Sequence, residues 1–391
     1  MTQPKIKIRR CKRYTGYKPC IPYKNCLTDG CQNDVISNRI GTKILIVALE
    51  GLGAVLSATT ILHALKLKYP ISTIHWITRE NAQTILLNNP FIDKIFIWND
   101  EQRMIVRNIS YDVLINTDKS NHACAFSLEV KSRKKLGFIL NTDGIIIPVN
   151  KGALYNYSMG NDDQLKFRKN KRTGIDILHE TCELKFKKDE YVFRFSDEER
   201  AFIDEYRRSI KYDPDKIYIG FNTGCSPLFP NKKMTLEQHV KVIRRILVDQ
   251  RAVIVLLGGQ EDTERNIQIL KSFSRDDRKK IVATPTELGI RKGACFIDIC
   301  DVIITGDSFG MHLAIALRKH VIVWFGVSCW TEIDLYGRGV KLFPKNLDCS
   351  PCWKKACPYN LECIDMIDLG HIHKLAMEFI RKKKKALARK K

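Results

Sequence analysis

The sequence predicts an α/β protein of two successive domains, each a parallel β-sheet with helices on both faces. Three observations carry this. Residues 43–149 alternate short β-branched runs with apolar helical stretches, the pattern of repeated β-α-β units. Asp213-Pro214-Asp215 interrupts that alternation, after which it starts again. Residues 301–324 then compress strand, turn, helix and strand into one unit. In such units ligands bind at the carboxyl ends of the strands.

In the first half, Lys43–Leu49 reads as a strand, followed by Gly51-Leu52-Gly53 and an apolar helix over Val55–Leu67. A bare Gly-x-Gly is weak evidence of a phosphate cradle. Further strands are predicted at 74–78, 94–98, 112–116, 136–139 and 145–149, and helices at 80–87 and 122–130. Residues 150–175 are polar and basic, with Lys166, Arg168, Lys169, Lys171 and Arg172 among them. They read as a long surface loop, either a solvated connection or a flap for a phosphorylated acceptor. A helix over 175–184, a strand over Tyr191–Phe195 and a helix over 197–210 complete this half.

In the second half, strands are predicted at 217–222, 252–257 and 280–283, and helices at 236–247 and 263–273. Asp301–Thr305 is a β-branched run, the composition of a buried parallel strand. Gly306-Asp307-Ser308 forms the turn, and Asp307 and Ser308 are both good helix N-caps. The next helix carries Met311, Leu313, Ala314, Ala316 and Leu317. Val321–Trp324 is the next strand, ended by Phe325-Gly326, and a last helix is expected from His371 to about Lys383. Asp307 and His312 stand five residues apart across a first helical turn, so both can face one ligand.

The chain has 391 residues, with 66 Lys+Arg against 43 Asp+Glu, a net charge of +23. This predicts an acidic partner, such as a nucleotide or an anionic headgroup. Nucleic acid is disfavoured, since no aromatic-rich reader motif accompanies the charge. No apolar run is long enough to span a membrane, and the basic N-terminus lacks the apolar core of a signal peptide. A cytoplasmic protein is expected, with its 14 Cys free of structural disulfides. Cys11, Cys20, Cys26 and Cys31 form one group, and Cys349, Cys352, Cys357 and Cys363 another. Structural zinc, an iron–sulfur cluster and reduced thiols all fit such groups, with disulfides a further alternative. Residues 381–391 hold eight Lys or Arg, read either as a disordered solvated tail or as a peripheral anchor on anionic headgroups.

The stretch Asp307-Ser308-Phe309-Gly310-Met311-His312-Leu313-Ala314-Ile315-Ala316, with Phe325-Gly326 beyond it, resembles the signature of the heptosyltransferases, glycosyltransferase family 9. Phe309 stands where that family usually has Gly, and Gly310 follows it. The similarity continues over most of residues 43–368. It implies a GT-B architecture, two Rossmann-like domains facing a central cleft. The segments would be a Cys-containing stretch over 1–40, an acceptor domain over 41–212, a nucleotide-sugar domain over 213–368, and a terminal helix with a basic tail over 369–391.

The resemblance also implies the chemistry. The reaction would be inverting transfer of a heptose from an ADP-heptose-like donor to a lipopolysaccharide core or related surface glycan, at the inner face of the membrane. No metal ion or other cofactor would be needed for catalysis. Lys232, with Lys233 as its neighbour, would pair with the diphosphate as a point charge. Thr223, Gly224, Asp307, Ser308, Phe309, Gly310 and His312 would complete the donor site, and Glu261 would hold the ribose, with Asp262 the alternative. The family's presumed base, an Asp after the first strand, is replaced by Ala54. Glu50 is then the preferred base, and Asp118 another carboxylate near a strand end. Ala54 also leaves open a catalytically silent sugar-nucleotide or glycan-binding protein. A sugar-nucleotide epimerase of the same architecture is a further alternative.

Overall fold

The computed structural model describes residues 8–27 and 36–388. They divide into two compact units, one within Met1–Ser158 and Asp176–Asp189, the other within Met159–Ile175 and Glu190–Lys391.

The first unit contains β1 (Thr42–Val47), β2 (Ser72–Thr78), β3 (Lys94–Ile97), β4 (Tyr111–Asn116), β5 (Ser132–Leu140) and β6 (Ile146–Pro148). They form one sheet in the order β3-β2-β1-β4-β5-β6. The first five are parallel, while β6 returns antiparallel to β5 through a short turn. Ile44, Leu45, Ile46 and Val47 are all fully buried. A strand covered on both faces needs such a continuous apolar run. The single helix expected over 55–67 is instead two, Leu52–Ala58 and Ile61–Lys68. Thr59 and Thr60 donate their hydroxyls to the carbonyls of Leu56 and Ser57, a side-chain competition that interrupts the helical ladder.

The second unit contains β7 (Ile217–Asn222), β8 (Ala252–Leu257), β9 (Ile281–Ala283), β10 (Val302–Gly306), β11 (His320–Trp324) and β12 (Gly339–Leu342). Their order is β12-β11-β10-β7-β8-β9, all parallel. Strand order reverses between β7 and β10, so the carboxyl ends of these two strands border the position where doubly wound sheets bind ligands. Every residue of β7, β8 and β10 is buried. The helix Leu236–Ile246 starts at a capping box of Thr235 and Gln238, which satisfies two otherwise unpaired N–H groups. Its Val242, Ile243 and Ile246 share one core with Ile372, Ala376 and Ile380 of the helix Leu369–Ala388.

Three expectations are corrected. Residues 150–175 are not one long loop: Leu154–Asn161 is helical and Leu165–Lys169 forms a π-helical turn. Two of the basic side chains there, Lys166 and Arg168, have partners. Arg168 donates to the carbonyls of Ser350 and Asp348, and the Lys166 ammonium lies 5.2 Å from the Trp353 ring centroid. Tyr191–Phe195 forms no strand. Its alternating aromatics pack on side chains, as Phe193 does against Phe195. Finally, the basic run at 381–385 continues the last helix, which reaches Ala388. Lys383 and Lys384 are tied to Asp301 and Asp249, at 3.0 and 2.6 Å. Residues 389–391 lie outside the described residues.

Candidate active site

At the end of β10, Gly306-Asp307-Ser308 turns into the helix Phe309–Ala316. Ser308 is the N-cap and accepts from the N–H of Met311. Asn222, the last residue of β7, fixes this turn. Its amide donates to Ser308 Oγ (3.0 Å), Thr305 Oγ1 (3.1 Å) and the Gly224 carbonyl (3.0 Å). The Asn222 amide also explains Gly310. A Cβ there would come within 2.8 Å of it, so the helix start approaches β7 only with glycine at that place.

Asp307 is the hub of the site. Lys232, from the short turn Pro230–Lys232 after β7, places Nζ 2.7 Å from Asp307 Oδ2. Both side chains are nearly buried, 11% and 12% exposed. The path of Lys232 is fixed by backbone: Trp324 Nε1 donates to its carbonyl at 3.1 Å, and that carbonyl passes so close to Gly306 that a Cβ would meet it at 2.9 Å. Its ammonium lies over two aromatic rings, 4.6 Å from the Trp353 centroid and 5.0 Å from that of Phe229. Such cation–π contacts steady a charge drawn out of water. Burial pushes the Asp307 carboxyl up, but Lys232 beside it, together with His312, holds it below the ordinary value. His312 is held neutral by burial, with Asp307 pulling toward the charged form and Lys232 against it. Tyr191 stacks on the His312 ring, and its hydroxyl is 3.2 Å from Nδ1.

The other expected donor residues sit nearby in the second unit, with different partners. Thr223 is buried, its hydroxyl facing inward to Asn266 at 2.6 Å and to the Leu257 carbonyl. Gly224 lies against the Asp262 carboxylate, which leaves no room for a Cβ. Lys233 pairs with Asp262 at 2.7 Å, so the two neighbouring lysines serve two different carboxylates. Glu261 is exposed on the turn Gln260–Asp262, whereas Asp262 is buried. Phe309 is half-buried in the first turn of the helix. The helix N-terminus, Lys232 and His312 thus surround Asp307, while Glu261 stands at the end of β8. Tyr191, Trp353 and Phe229 escaped the sequence reading. Trp353 directly follows Cys352, the only signal available.

In the first unit, Glu50 follows the end of β1 and is about half exposed. Arg79 Nε donates to its Oε1 at 3.0 Å, and His122 Nε2 is 3.0 Å from the same oxygen. Ala54 is exposed in the first turn of the helix Leu52–Ala58 and carries no proton-accepting group. Asp118 accepts from the N–H groups of Leu49, Glu50 and Ser120, at 3.0, 2.8 and 2.8 Å. That nearly buried carboxylate joins the ends of β1 and β4.

Among the described residues no two cysteines are joined in a disulfide. Among the described residues no three His, Cys, Asp or Glu side chains are grouped to hold a metal ion. The expected set of Cys11, Cys20, Cys26 and Cys31 is therefore not assembled in the described part, and Cys31 lies outside it. The short polar segment instead makes backbone contacts, such as a bridge from Cys11 to Arg39. Burial raises the Cys363 thiol to about 11, with Cys352, Cys357 and Cys349 adding to the shift. Among the described residues no helix is long and apolar enough to cross a membrane.

The Lys232–Asp307 pair makes a testable contribution to stability. A carboxyl whose pKa is depressed on folding stabilises above its unfolded value, and that stabilisation is lost as pH falls through the folded value. Asp307→Asn leaves Lys232 nearly buried without its counter-charge, a cost of about 3 kcal/mol or more. Urea unfolding is expected to show this deficit from pH 7 down to pH 4, narrowing only at lower pH. A deficit that is constant down to pH 2.5 would contradict the pairing.

Residues 103–362 match the sequence family described as glycosyltransferase family 9 (heptosyltransferase). Lipopolysaccharide heptosyltransferase 1 of Campylobacter coli is 22% identical over 313 residues, 73% of this chain and 84% of that protein. Among solved structures, a family 9 glycosyl transferase from Veillonella parvula superposes with a TM-score of 0.69 at 18% identity, covering 87% of this chain and 97% of that one. Escherichia coli ADP-heptose heptosyltransferase II gives a TM-score of 0.65 at 15% identity, covering 88% and 100%. Two parallel-sheet α/β domains are thus the shared GT-B fold. The chain is a glycosyltransferase enzyme that belongs to glycosyltransferase family 9 (heptosyltransferase).

Proposed function

We propose that the chain transfers a heptose, with inversion, from an ADP-heptose-like donor to a lipopolysaccharide core or related surface glycan. The observation that supports this most is the meeting of Lys232, His312 and the N-terminus of the helix Phe309–Ala316 around Asp307. A diphosphate needs positive charge and N–H dipoles where its negative charge grows as it leaves. Lys232 has three ammonium hydrogens, and Asp307 takes one. Two remain for phosphate oxygens, and the helix N-terminus adds backbone donors. Glu261, exposed beyond β8, is the carboxylate for the ribose hydroxyls.

In the reaction the acceptor oxygen attacks the anomeric carbon from the side opposite the diphosphate. The new C–O bond forms as the bond to the diphosphate oxygen breaks, and that electron pair leaves with the β-phosphate. The acceptor proton goes to the base, for which Glu50 is the candidate. Names of related proteins support donor and acceptor: relatives are lipopolysaccharide heptosyltransferases, and one solved relative is described with ADP-2-deoxy-2-fluoro heptose.

A second reading, a silent binding protein, rests on Ala54 alone. One experiment separates the two. Wild-type protein with an ADP-heptose and a heptose-deficient lipopolysaccharide acceptor is expected to give glycosylated product, and Glu50→Gln to bind ADP unchanged but to lose at least ~100-fold in turnover. Product formation by Glu50→Gln at the wild-type rate removes Glu50 as the base. Binding of the nucleotide-sugar with no product from wild type favours the silent reading.

We also propose cytoplasmic residence with peripheral contact to anionic headgroups through Arg381, Lys382 and Lys385, which are exposed on the last helix. Each basic residue near such a surface contributes ~1 kcal/mol. Sedimentation with phosphatidylglycerol vesicles is expected to carry the protein down, and replacing the three residues by Gln to release it. Equal sedimentation of the variant would refute the contact.

A further inference from the structure

We propose that Tyr191 is a positioning residue whose hydroxyl donates to Nδ1 of His312 and so keeps the ring's proton on Nε2, the nitrogen offered to the donor diphosphate. The inference rests on the reading that His312 faces that diphosphate. A neutral imidazole has one N–H and one bare nitrogen, and the partner of one nitrogen decides the state of the other. Only the Nε2–H tautomer can donate to a phosphate oxygen from Nε2. The opposite tautomer would point a lone pair at the anion.

The geometry fits this task. The Tyr191 hydroxyl is 3.2 Å from His312 Nδ1. The two rings lie nearly parallel, 16° apart, with centroids 5.9 Å apart, so the imidazole is held in orientation as well as hydrogen-bonded. Tyr191 is itself fixed. It is 7% exposed, and Tyr336 meets its ring edge-on with centroids 6.3 Å apart. The preceding residue, Glu190, is clamped by Arg338 at 2.7 Å and by Arg318. The phenol keeps its proton, since burial and the nearby Asp334 and Asp307 carboxylates all raise it. Burial likewise keeps His312 neutral. A neutral phenol beside a neutral imidazole donates to the bare nitrogen, because a phenol O–H is a strong donor and its oxygen a weak acceptor for a ring N–H.

Tyr191→Phe removes the hydroxyl and retains the stacked ring. It is expected to raise the donor KM roughly three- to tenfold, the loss of one hydrogen bond, with a smaller change in kcat. Nitrogen-15 NMR of the ring, with the signal assigned by its absence in His312→Gln, reads the tautomer directly. Wild-type protein without donor is expected to show the Nε2–H form, and Tyr191→Phe a mixture of forms. An Nδ1–H signal in the wild type would overturn the proposal. So would an Nε2–H signal left unchanged by Tyr191→Phe. The wild-type spectrum stands even if the variant folds poorly. Neither spectrum depends on finding a sugar donor, so failure of the tautomer claim is distinguishable from failure of the functional reading.

Discussion

The nearly buried pair between Lys232 and Asp307 is the contact around which the second unit is arranged. A charged pair drawn out of water is stable only when geometry is good and the remaining polar atoms have partners. The fold provides the geometry. Trp324 holds the Lys232 carbonyl, and Gly306 lets it approach. Asn222 ties the end of β7 to the turn after β10. Phe229 and Trp353 flank the ammonium. The reversal of strand order between β7 and β10 is what allows residues 75 positions apart in the chain to meet.

This arrangement gives the cysteine-bearing loop a place in the account that does not involve a metal. Trp353 follows Cys352, and the carbonyl of Lys354 accepts from the side chain of Asn231, the neighbour of Lys232. The N–H groups of Cys352 and Trp353 both bond the Val327 carbonyl, next to Ser328. The loop thus braces the lysine of the pair through an aromatic face. The π-helical turn with Lys166 and Arg168 packs on the same loop from its other side.

Much of this was legible in the sequence, for a physical reason. Strands buried on both faces must be apolar throughout, so Ile217–Asn222 and Ala252–Leu257 coincide with the predicted ranges. The Asp307–His312 stretch stood out because an N-cap, a close backbone approach and an imidazole each demand a particular residue type. What depends on tertiary partners was not legible. Tyr191–Phe195 has the alternation of a strand but no neighbouring strand to pair with, so its aromatics pack on side chains instead. Lys166 and Arg168 look solvated in the sequence until a tryptophan and two carbonyls from far along the chain are brought beside them. Tyr191 carries no motif at all, since its role exists only relative to His312.

The first unit contributes a different lesson. Its switch point lies between β1 and β4, where Asp118 links the two strand ends and Glu50, Arg79 and His122 meet around one carboxylate oxygen. With Ala54 in place of an acidic residue, the chain keeps a carboxylate at this edge of the sheet, but on the strand end rather than the helix. Whatever the base, the claim on which the account stands is that Lys232, released in part from Asp307, holds a diphosphate. Calorimetric titration of ADP into wild type and Lys232→Ala tests it most directly. The account predicts that affinity falls at least ~10-fold, the loss of one charge-assisted contact. Equal affinity in the two proteins would contradict it.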